Sequence, residues 1–272
     1  MTDLPERVEE NLRERGLFRH GETILVAVSG GLDSMLLLEV LSRLSVKHGW
    51  RLVVAHFNHQ VRGRSSDADE RLVKNVAQKS GMPFVAGGAD VRKFARAHKI
   101  SVEMAARKLR HAFLAQAARK RRIKTIALAH HADDQIELFF LRLLRGAGAT
   151  GLAGMKWRSP SPAHPGVFLA RPLLAETKAA LAEWAAREKI AWREDASNEH
   201  LDIQRNRIRQ ELLPLLVRHY QPSLAGVLLR EMDILGAEAE FVTAMAEKWL
   251  RRKSGRNFAS LPVALQRRCL QI

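Results

Sequence analysis

Apolar residues occur as short continuous runs, separated by longer and more polar segments, along the N-terminal part of the chain. Five runs predict β-strands, at residues 24–28, 52–57, 83–86, 125–129 and 167–170. The segments between them are long enough for helices, and strands that alternate with helices form a parallel sheet covered on both faces. The sequence therefore predicts an α/β fold whose ligands bind at the carboxyl ends of the strands.

A helical spacing of apolar residues follows the fourth run. Positions i, i+3, i+4, i+7 and i+8 are apolar, which predicts an amphipathic helix through Ile136, Phe139, Phe140, Leu143 and Leu144. From about residue 218 onward the sequence predicts helices only. We therefore expect an α/β domain at residues 1–217 and a small all-helical domain at 218–272, incomplete at its C-terminus because its last amphipathic segment lacks a capping signal.

The chain is strongly basic. It contains 45 Lys and Arg against 29 Asp and Glu, a formal net charge of +16 at pH 7. Twelve of these cations but only one acid, Glu103, lie between Arg92 and Lys124. This clustering favours a polyanionic partner such as nucleic acid, and a generally high use of arginine is the alternative explanation.

Hydropathy and cysteine content exclude several classes of protein. Hydrophobic residues make up 46% of the chain, which is enough for a folded core. No segment approaches about 18 uninterrupted apolar residues, and the N-terminus lacks a signal-peptide pattern, so we expect a cytoplasmic protein with no membrane partner. The single cysteine, Cys269, excludes an internal disulfide and a cysteine-cluster metal site.

The most informative motif joins the first predicted strand to an apolar helix. Its six residues are Ser29, Gly30, Gly31, Leu32, Asp33 and Ser34. Two glycines and a helix N-terminus form a cradle for phosphate groups, and the Asp33 carboxylate can hold Mg²⁺. No lysine follows the glycines, so the pattern that grips a γ-phosphate is absent and pyrophosphate as a leaving group is favoured. An ordinary strand-to-helix turn, capped by Asp33 or Ser34, is the alternative.

Acidic residues open the helix predicted after the fourth strand. Asp134 and Glu137 lie three residues apart, which places both on one helix surface as an anionic pocket for a cation. The same spacing is typical of helix capping, so both interpretations remain open.

Residues 146–151 match the G-x-G-x-x-G pattern but follow a helix instead of a strand, so we reject a dinucleotide site there. A loop bordering the active site is expected instead, with Arg142 and Arg145 available to phosphates. A flexible connection that ends the helix is the alternative.

The six-residue motif S-G-G-x-D-S resembles the signature of the pyrophosphatase-loop ATP enzymes. Within them, the chain is most similar to the tRNA(Ile)-lysidine synthetase family, over roughly residues 22–216. The similar stretches are residues 29–34, 56–62, 103–110, 130–137, 145–155, 171–174, 194–198 and 205–209. Two positions depart from the family pattern: His111 stands where a tyrosine is expected and Leu138 where a threonine is common.

This resemblance implies an adenine nucleotide α-hydrolase-like, Rossmann-related fold and a ligase that uses ATP and Mg²⁺. The family transfers AMP from ATP to O2 of a wobble cytidine, and the amine of free L-lysine then displaces AMP at C2. The implied partner is an isoleucine tRNA with a CAU anticodon, bound in part by the helical domain. The oligomeric state is open, with a homodimer as one alternative.

The resemblance also assigns roles to individual residues. The nucleotide would be bound by residues 29–34 and His56, the metal by Asp33 and Asp133, and lysine by Asp134 and Glu137. The catalytic set would be Asp33, His130, Asp134, Arg107 and Arg110, and the tRNA would contact Arg145, Arg205 and Arg209.

Two alternative functions remain open. A tRNA thiolase of the same superfamily also adenylates a base, but it needs cysteines to carry sulfur. A noncatalytic, ATP-dependent RNA-binding module is the second alternative, and the acids at Asp33, Asp134 and Glu137 argue against it.

Overall fold

The computed structural model describes residues 3–60, 64–193, 204–251 and 257–272. Its strands are β1 (Thr23–Ala27), β2 (Arg51–Asn58), β3 (Phe84–Gly88), β4 (Thr125–Ala127), β5 (Arg158–Ser161) and β6 (His164–Ala170). Its first eight α-helices are α1 (Leu4–Glu14), α2 (Leu32–His48), α3 (Arg64–Lys79), α4 (Val91–His98), α5 (Val102–Lys120), α6 (Ala132–Leu143), α7 (Ala149–Leu152) and α8 (Lys178–Arg187).

Helices also make up the C-terminal part that the structure describes. They are α9 (Gln204–Arg207), α10 (Leu213–His219), α11 (Leu224–Leu250) and α12 (Val263–Cys269), with a π-helical turn at Ile208–Leu212 and a 3₁₀ turn at Phe258–Ser260. Within the described ranges no helix is long and apolar enough to cross a membrane.

Backbone contacts divide the chain into two compact units. The first unit comprises residues 1–132 and 156–197, and the second comprises residues 133–155 and 198–272. The domain boundary expected after residue 217 stays a prediction.

The first unit contains a six-stranded sheet in the order β3-β2-β1-β4-β6-β5. All neighbouring strands are parallel except β5, which runs antiparallel to β6 at the edge. The five predicted strands and the mostly parallel α/β fold are confirmed. β5 was not predicted, because it is polar and carries Pro160, at which the register with β6 shifts.

Both faces of this sheet are buried. Alternate side chains of β1 point to opposite faces, so Ile24 and Val26 join one apolar cluster with α1, α2 and α8, whereas Leu25 joins a second cluster with α5. This two-sided burial explains why the central strands read as continuous apolar runs in the sequence.

The second unit is helical. Here α6 carries the acids predicted to form a pocket, and α7 packs against α11. Gly154, with a φ of +74°, is fitted closely between α6 and α11, because a Cβ there would lie 2.2 Å from the Met232 methyl and 2.7 Å from the Gln135 amide oxygen. The predicted amphipathic helix after the fourth strand is confirmed as α6.

Candidate active site

The strand order of the first unit creates a crevice at the carboxyl ends of β1 and β4. The chain proceeds from β1 outward to β2 and β3 on one side and places β4 on the other, and ligands of open α/β sheets bind where the order reverses in this way. A cavity of about 220 Å³ lies there. Its polar lining comes from Ser29, Asp33 and Ser34 after β1, from His59 after β2, from Arg110 on α5 and from His130 after β4.

The loop after β1 has the geometry of a phosphate cradle. Gly30 has a φ of +97°, which side-chain-bearing residues rarely adopt, and a Cβ there would lie 3.3 Å from the Cβ of Asp69. Ser34 braces the turn, since its hydroxyl accepts a hydrogen bond from the Ser29 amide at 3.0 Å and donates one to the Gly31 carbonyl at 2.9 Å. Gly31 is the N-cap of α2 and has no side chain, so the first-turn amides remain available to an anion.

The two carboxylate oxygens of Asp33 have different surroundings. Its Oδ2 lies 3.0 Å from Lys178 Nζ and 3.6 Å from His131 Nε2. Burial alone would raise the pKa of the Asp33 carboxyl, but His131 and Lys178 lower it overall, so the group is ionised at neutral pH. Its Oδ1 is buried and, within the described residues, has no hydrogen-bond partner, which fits a cation ligand.

Lys178 and His131 were missed by the sequence reasoning. Lys178 occupies the first turn of α8, which Thr177 caps, and lies 145 residues from Asp33 in the chain. No local pattern could connect the two residues, because only the folded sheet brings α8 to the loop.

Positive charge accumulates where α5 faces β6. His111 is buried, and its pKa falls to about 4 because of burial and of the charges on Arg110, Arg107 and Arg171. Arg171 is also buried, and burial together with the charge of Arg107 lowers its pKa to about 10. Its Nη1 donates hydrogen bonds to the Lys156 carbonyl at 2.6 Å and to the Ser159 hydroxyl at 3.2 Å. Such a partly buried cluster of cations suits an anionic ligand.

His56 lies inside β2 and is buried. Its Nδ1 is 2.9 Å from the Val28 carbonyl oxygen, a contact that fixes the end of β1, and burial lowers its pKa. From the same strand, Ala55 and Phe57 line the cavity. The predicted role of His56 in nucleotide binding stays a prediction.

In the second unit, two arginines converge on the acids of α6. We call Asp134, Glu137, Arg205 and Arg209 the acid–arginine cluster. The Glu137 oxygens accept hydrogen bonds from Arg205 Nε at 2.6 Å and from Arg209 Nε at 2.5 Å and Nη2 at 3.0 Å, and Asp134 accepts one from Arg205 Nη2 at 2.5 Å. Burial alone would lower the pKa of Arg209, but Glu137, Asp134 and Asp133 raise it.

Arg142 binds backbone carbonyl groups of the glycine-containing segment that follows α6, residues 146–154. Its Nη1 donates hydrogen bonds to the Gly151 carbonyl at 2.7 Å and to the Gly154 carbonyl at 3.1 Å, so this side chain holds the segment together. Arg145 is exposed and lies 3.4 Å from the Gln204 side chain. The rejection of a dinucleotide fingerprint agrees with the structure, since the segment joins α6 to the short helix α7 and follows no strand.

Comparison with known proteins supports the interpretation of the loop. Residues 3–216 match the PP-loop domain family. The tRNA(Ile)-lysidine synthase of Chlorobaculum tepidum is 32% identical over 95% of the chain, which covers 76% of that protein. The chain belongs to the tRNA(Ile)-lysidine synthase family of PP-loop proteins.

Other members of this family are longer than the chain. The enzyme of Geobacter sulfurreducens is 41% identical over 88% of the chain, and that of Clostridium acetobutylicum is 33% identical over 91%. These matches cover 49% and 51% of the two relatives, so the chain spans about half of their length. Among solved structures, the U34-tRNA thiolase NcsA of Methanococcus maripaludis has a TM-score of 0.64 at 13% identity, covering 85% of the chain and 78% of that protein, which shows a shared fold.

The structure brings together a large part of the residues expected from the family pattern. One group lines the cavity of the first unit and comprises Ser29, Gly31, Asp33, Ser34, Arg110 and His130. Arg107 lies on the same helix as Arg110, is exposed, and contributes to the charge around His111. Residues 61–62 and 194–198 of the similar stretches lie outside the described residues. Asp69 and Arg193, which contact Gly30 in the loop after β1, were not expected.

The second group of expected residues belongs to the second unit. Asp134 and Glu137 are brought together with Arg205 and Arg209 in the acid–arginine cluster, and Asp133 occupies the first turn of α6. The pairing of Asp133 with Asp33 in a metal site, and the contacts of the arginines with tRNA, stay predictions.

Proposed function

We propose that the chain forms lysidine on an isoleucine tRNA with a CAU anticodon, using ATP and free L-lysine. In the first step, O2 of the wobble cytidine attacks the α-phosphorus of ATP, and the bond to pyrophosphate breaks. In the second step, the neutral ε-amine of lysine attacks C2, the bond from C2 to O2 breaks, and AMP leaves with that oxygen. The net products are lysidine-containing tRNA, AMP, pyrophosphate and a proton.

The observation that carries this proposal is the intact loop of a PP-loop protein in a chain of the lysidine synthase family. The turn through Gly30 and the amides at the start of α2 suit a departing pyrophosphate, and Oδ1 of Asp33 suits a cation that would accompany it. Lys178, beside Asp33, supplies a cation that the loop sequence itself lacks. A thiolase is less well supported, because the only cysteine of the sequence is Cys269 on α12.

The residues around the cavity also suit the reacting phosphate and a metal ion. Arg110 and His130 line the cavity and would neutralise charge that develops on the α-phosphate. Mg²⁺ prefers carboxylate and phosphate oxygens, and Asp33, with Asp133 as a second candidate, would hold it; the ion would neutralise phosphate charge.

The acids of α6 suit the second substrate. Only about one lysine ε-amine in a few thousand is neutral at pH 7, so the site must bind an ammonium ion and accept its proton. Asp134 and Glu137 present carboxylates on one face of α6 for this purpose. An acidic recognition site also explains selection of a cationic amino acid.

The experiment follows both phosphate products and amino acid incorporation. The protein is incubated with α-labelled ATP, labelled L-lysine and the isoleucine tRNA transcript. We expect AMP and lysine-labelled tRNA in equal amounts, and loss of both in Asp33→Asn. Asp90→Asn is the control, because Asp90 caps α4 and asparagine caps equally well. Formation of ADP, or AMP release that needs neither tRNA nor lysine, contradicts the proposal.

A further inference from the structure

The acid–arginine cluster leaves no Glu137 oxygen without a donor. One oxygen accepts from Arg209 and the other from both arginines. A lysine ammonium group donates three hydrogen bonds and needs acceptor oxygens of its own. Because the Glu137 side chain is also completely buried, with both oxygens in contact with guanidinium groups, an amine can reach it only after at least one of those groups has moved away.

The arginines form the solvent-side part of the cluster. The Glu137 side chain is completely buried and that of Asp134 is 15% exposed, whereas Arg205 and Arg209 are 35% and 36% exposed. A cation that arrives from solvent meets the guanidinium groups before it meets Glu137. Since a buried carboxylate without a cation is strongly unfavourable, the arginines leave at low cost only when another cation replaces them.

We propose that Arg205 and Arg209 occupy the lysine site as an internal substitute for the substrate amine, and that RNA phosphates draw them away as lysine binds. This inference rests on the proposed function, because it assumes that Asp134 and Glu137 bind lysine. Charge is conserved in the exchange: the guanidinium groups move from carboxylate to phosphate, and the ammonium takes their place. Guanidinium groups suit such a transfer, because they bind carboxylates and phosphates with the same two-pronged geometry.

The backbone around Arg209 favours such a movement. Arg209 lies in the π-helical turn Ile208–Leu212, where the Leu213 amide donates to the Ile208 carbonyl. Pro214 follows and has no amide hydrogen, so the regular hydrogen-bond pattern of a helix is already interrupted. Single π-helical turns are frequent at functional sites. Rearrangement of this turn breaks fewer backbone hydrogen bonds than rearrangement of an uninterrupted helix.

The exchange predicts that RNA and lysine bind cooperatively. L-lysine binding is measured by titration calorimetry without ATP, in the presence and absence of an RNA with the anticodon stem and loop of the isoleucine tRNA. We expect the RNA to tighten lysine binding by about tenfold or more, and lysine to tighten RNA binding by the same factor, since coupling between two sites is reciprocal.

Variants of the arginines test which groups carry the coupling. In Arg205→Gln/Arg209→Gln we expect lysine to bind without RNA and the effect of RNA to disappear. Arg207→Gln is the matched control, because Arg207 is on the same helix, pairs with Glu211 at 3.6 Å and is 63% exposed. It should behave like the unmodified protein.

Two results would overturn the inference. One is equal lysine affinity with and without RNA in the unmodified protein, an arm that does not depend on the folding of any variant. The other is a double variant that unfolds at lower temperature but binds lysine no better than the unmodified protein, which would make the cluster a structural clamp. Formation of lysidine is measured separately, so a protein that forms lysidine without coupling loses this inference and keeps the proposed function.

Discussion

His111 shows how a single buried residue reports the charge of its surroundings. Burial is the largest cause of its lowered pKa, and the charges of Arg110, Arg107 and Arg171 act in the same direction. Its imidazole is therefore neutral across the physiological pH range. The resemblance to the family places a tyrosine at this position, a residue that is also neutral at pH 7.

This environment predicts that stability falls in mild acid. The pKa of His111 is about 4 in the folded protein and 6.5 in the unfolded chain, so between these values only the unfolded chain binds the proton. Stability is complete above pH 6.5 and is lost as the pH falls toward 4. We expect the free energy of unfolding to decrease by about 2 kcal/mol between pH 7 and pH 5 through this group.

The measurement is denaturant unfolding of the unmodified protein and of His111→Gln at both pH values. Glutamine does not titrate, so the variant should lose about 2 kcal/mol less than the unmodified protein over this interval. Identical pH dependence in the two proteins would mean that the pKa of His111 is the same in the folded protein as in the unfolded chain. A change at pH 7 alone reports packing and does not bear on the prediction.

At the level of single residues, the sequence predicted what lies in a local motif and missed what the fold brings from a distance. Asp33 was found because it stands beside two glycines at the end of a strand. Lys178, whose Nζ is 3.0 Å from Asp33, carried no local signal. Arg171 after β6 belongs to a stretch that is similar to the family, but no role was expected for it. Arg205 and Arg209 were expected to contact tRNA, but their ion pairs with α6 could not be inferred from the sequence.

At the level of elements, the loop between β1 and α2 is built on two glycines with different requirements. Gly30 has a positive φ and lies against Asp69, whereas Gly31 has no positive φ and its nearest neighbour, the Ser29 hydroxyl, would be 3.6 Å from an added Cβ. The Arg193 amide also donates to the Gly30 carbonyl at 3.0 Å, so this conformation is held from outside the loop.

Alanine should affect stability differently at these two positions. Gly30→Ala is expected to lower the free energy of unfolding by about 1–3 kcal/mol, because the backbone is strained for any side chain. Gly31→Ala should change it by less than about 1 kcal/mol, since alanine also restricts the unfolded chain. Thermal unfolding measures both. Equal losses in the two variants would contradict the backbone conformation described for the loop.

The secondary-structure elements differ in how clearly the sequence predicts them. Buried parallel strands appear in the sequence as continuous apolar runs, and β1, β2 and β4 were predicted within a few residues. The edge strand β5 could not be recognised in this way. It has one partner strand and contains a proline, so its sequence shows neither an apolar run nor a clear alternation. The π-helical turn at Ile208–Leu212 had only one sequence signal, Pro214, and proline indicates an interruption without specifying its form.

At the level of the whole molecule, the net charge of +16 favours a polyanionic partner over a general use of arginine because the cations are clustered. Between Arg92 and Lys124 the cations lie on α4 and α5 or in the short segments that follow these helices, and all but Arg110 are exposed. Exposed cations on adjacent helices form a surface suited to the backbone of a nucleic acid, and its binding of RNA stays a prediction.

If this surface binds RNA phosphates, affinity must depend steeply on salt. Each phosphate contact releases counterions, so the logarithm of affinity should fall linearly with the logarithm of salt concentration, by roughly 0.7–0.9 per contact. Replacing Arg92, Lys93 and Arg96 on α4 by glutamine should reduce this slope by at least about one unit. The measurement is filter binding of the isoleucine tRNA across a salt series.

The control for this prediction removes the same charge from another helix. Arg71, Lys74 and Lys79 on α3 are also exposed, and their replacement by glutamine lowers the net charge equally. Because only groups in contact with phosphate change the number of released counterions, this variant should bind with an unchanged slope. Equal effects of the two sets would mean that net charge alone attracts the RNA. A flat salt response of the unmodified protein would mean that the basic surface has another role and would leave tRNA binding supported by family membership alone.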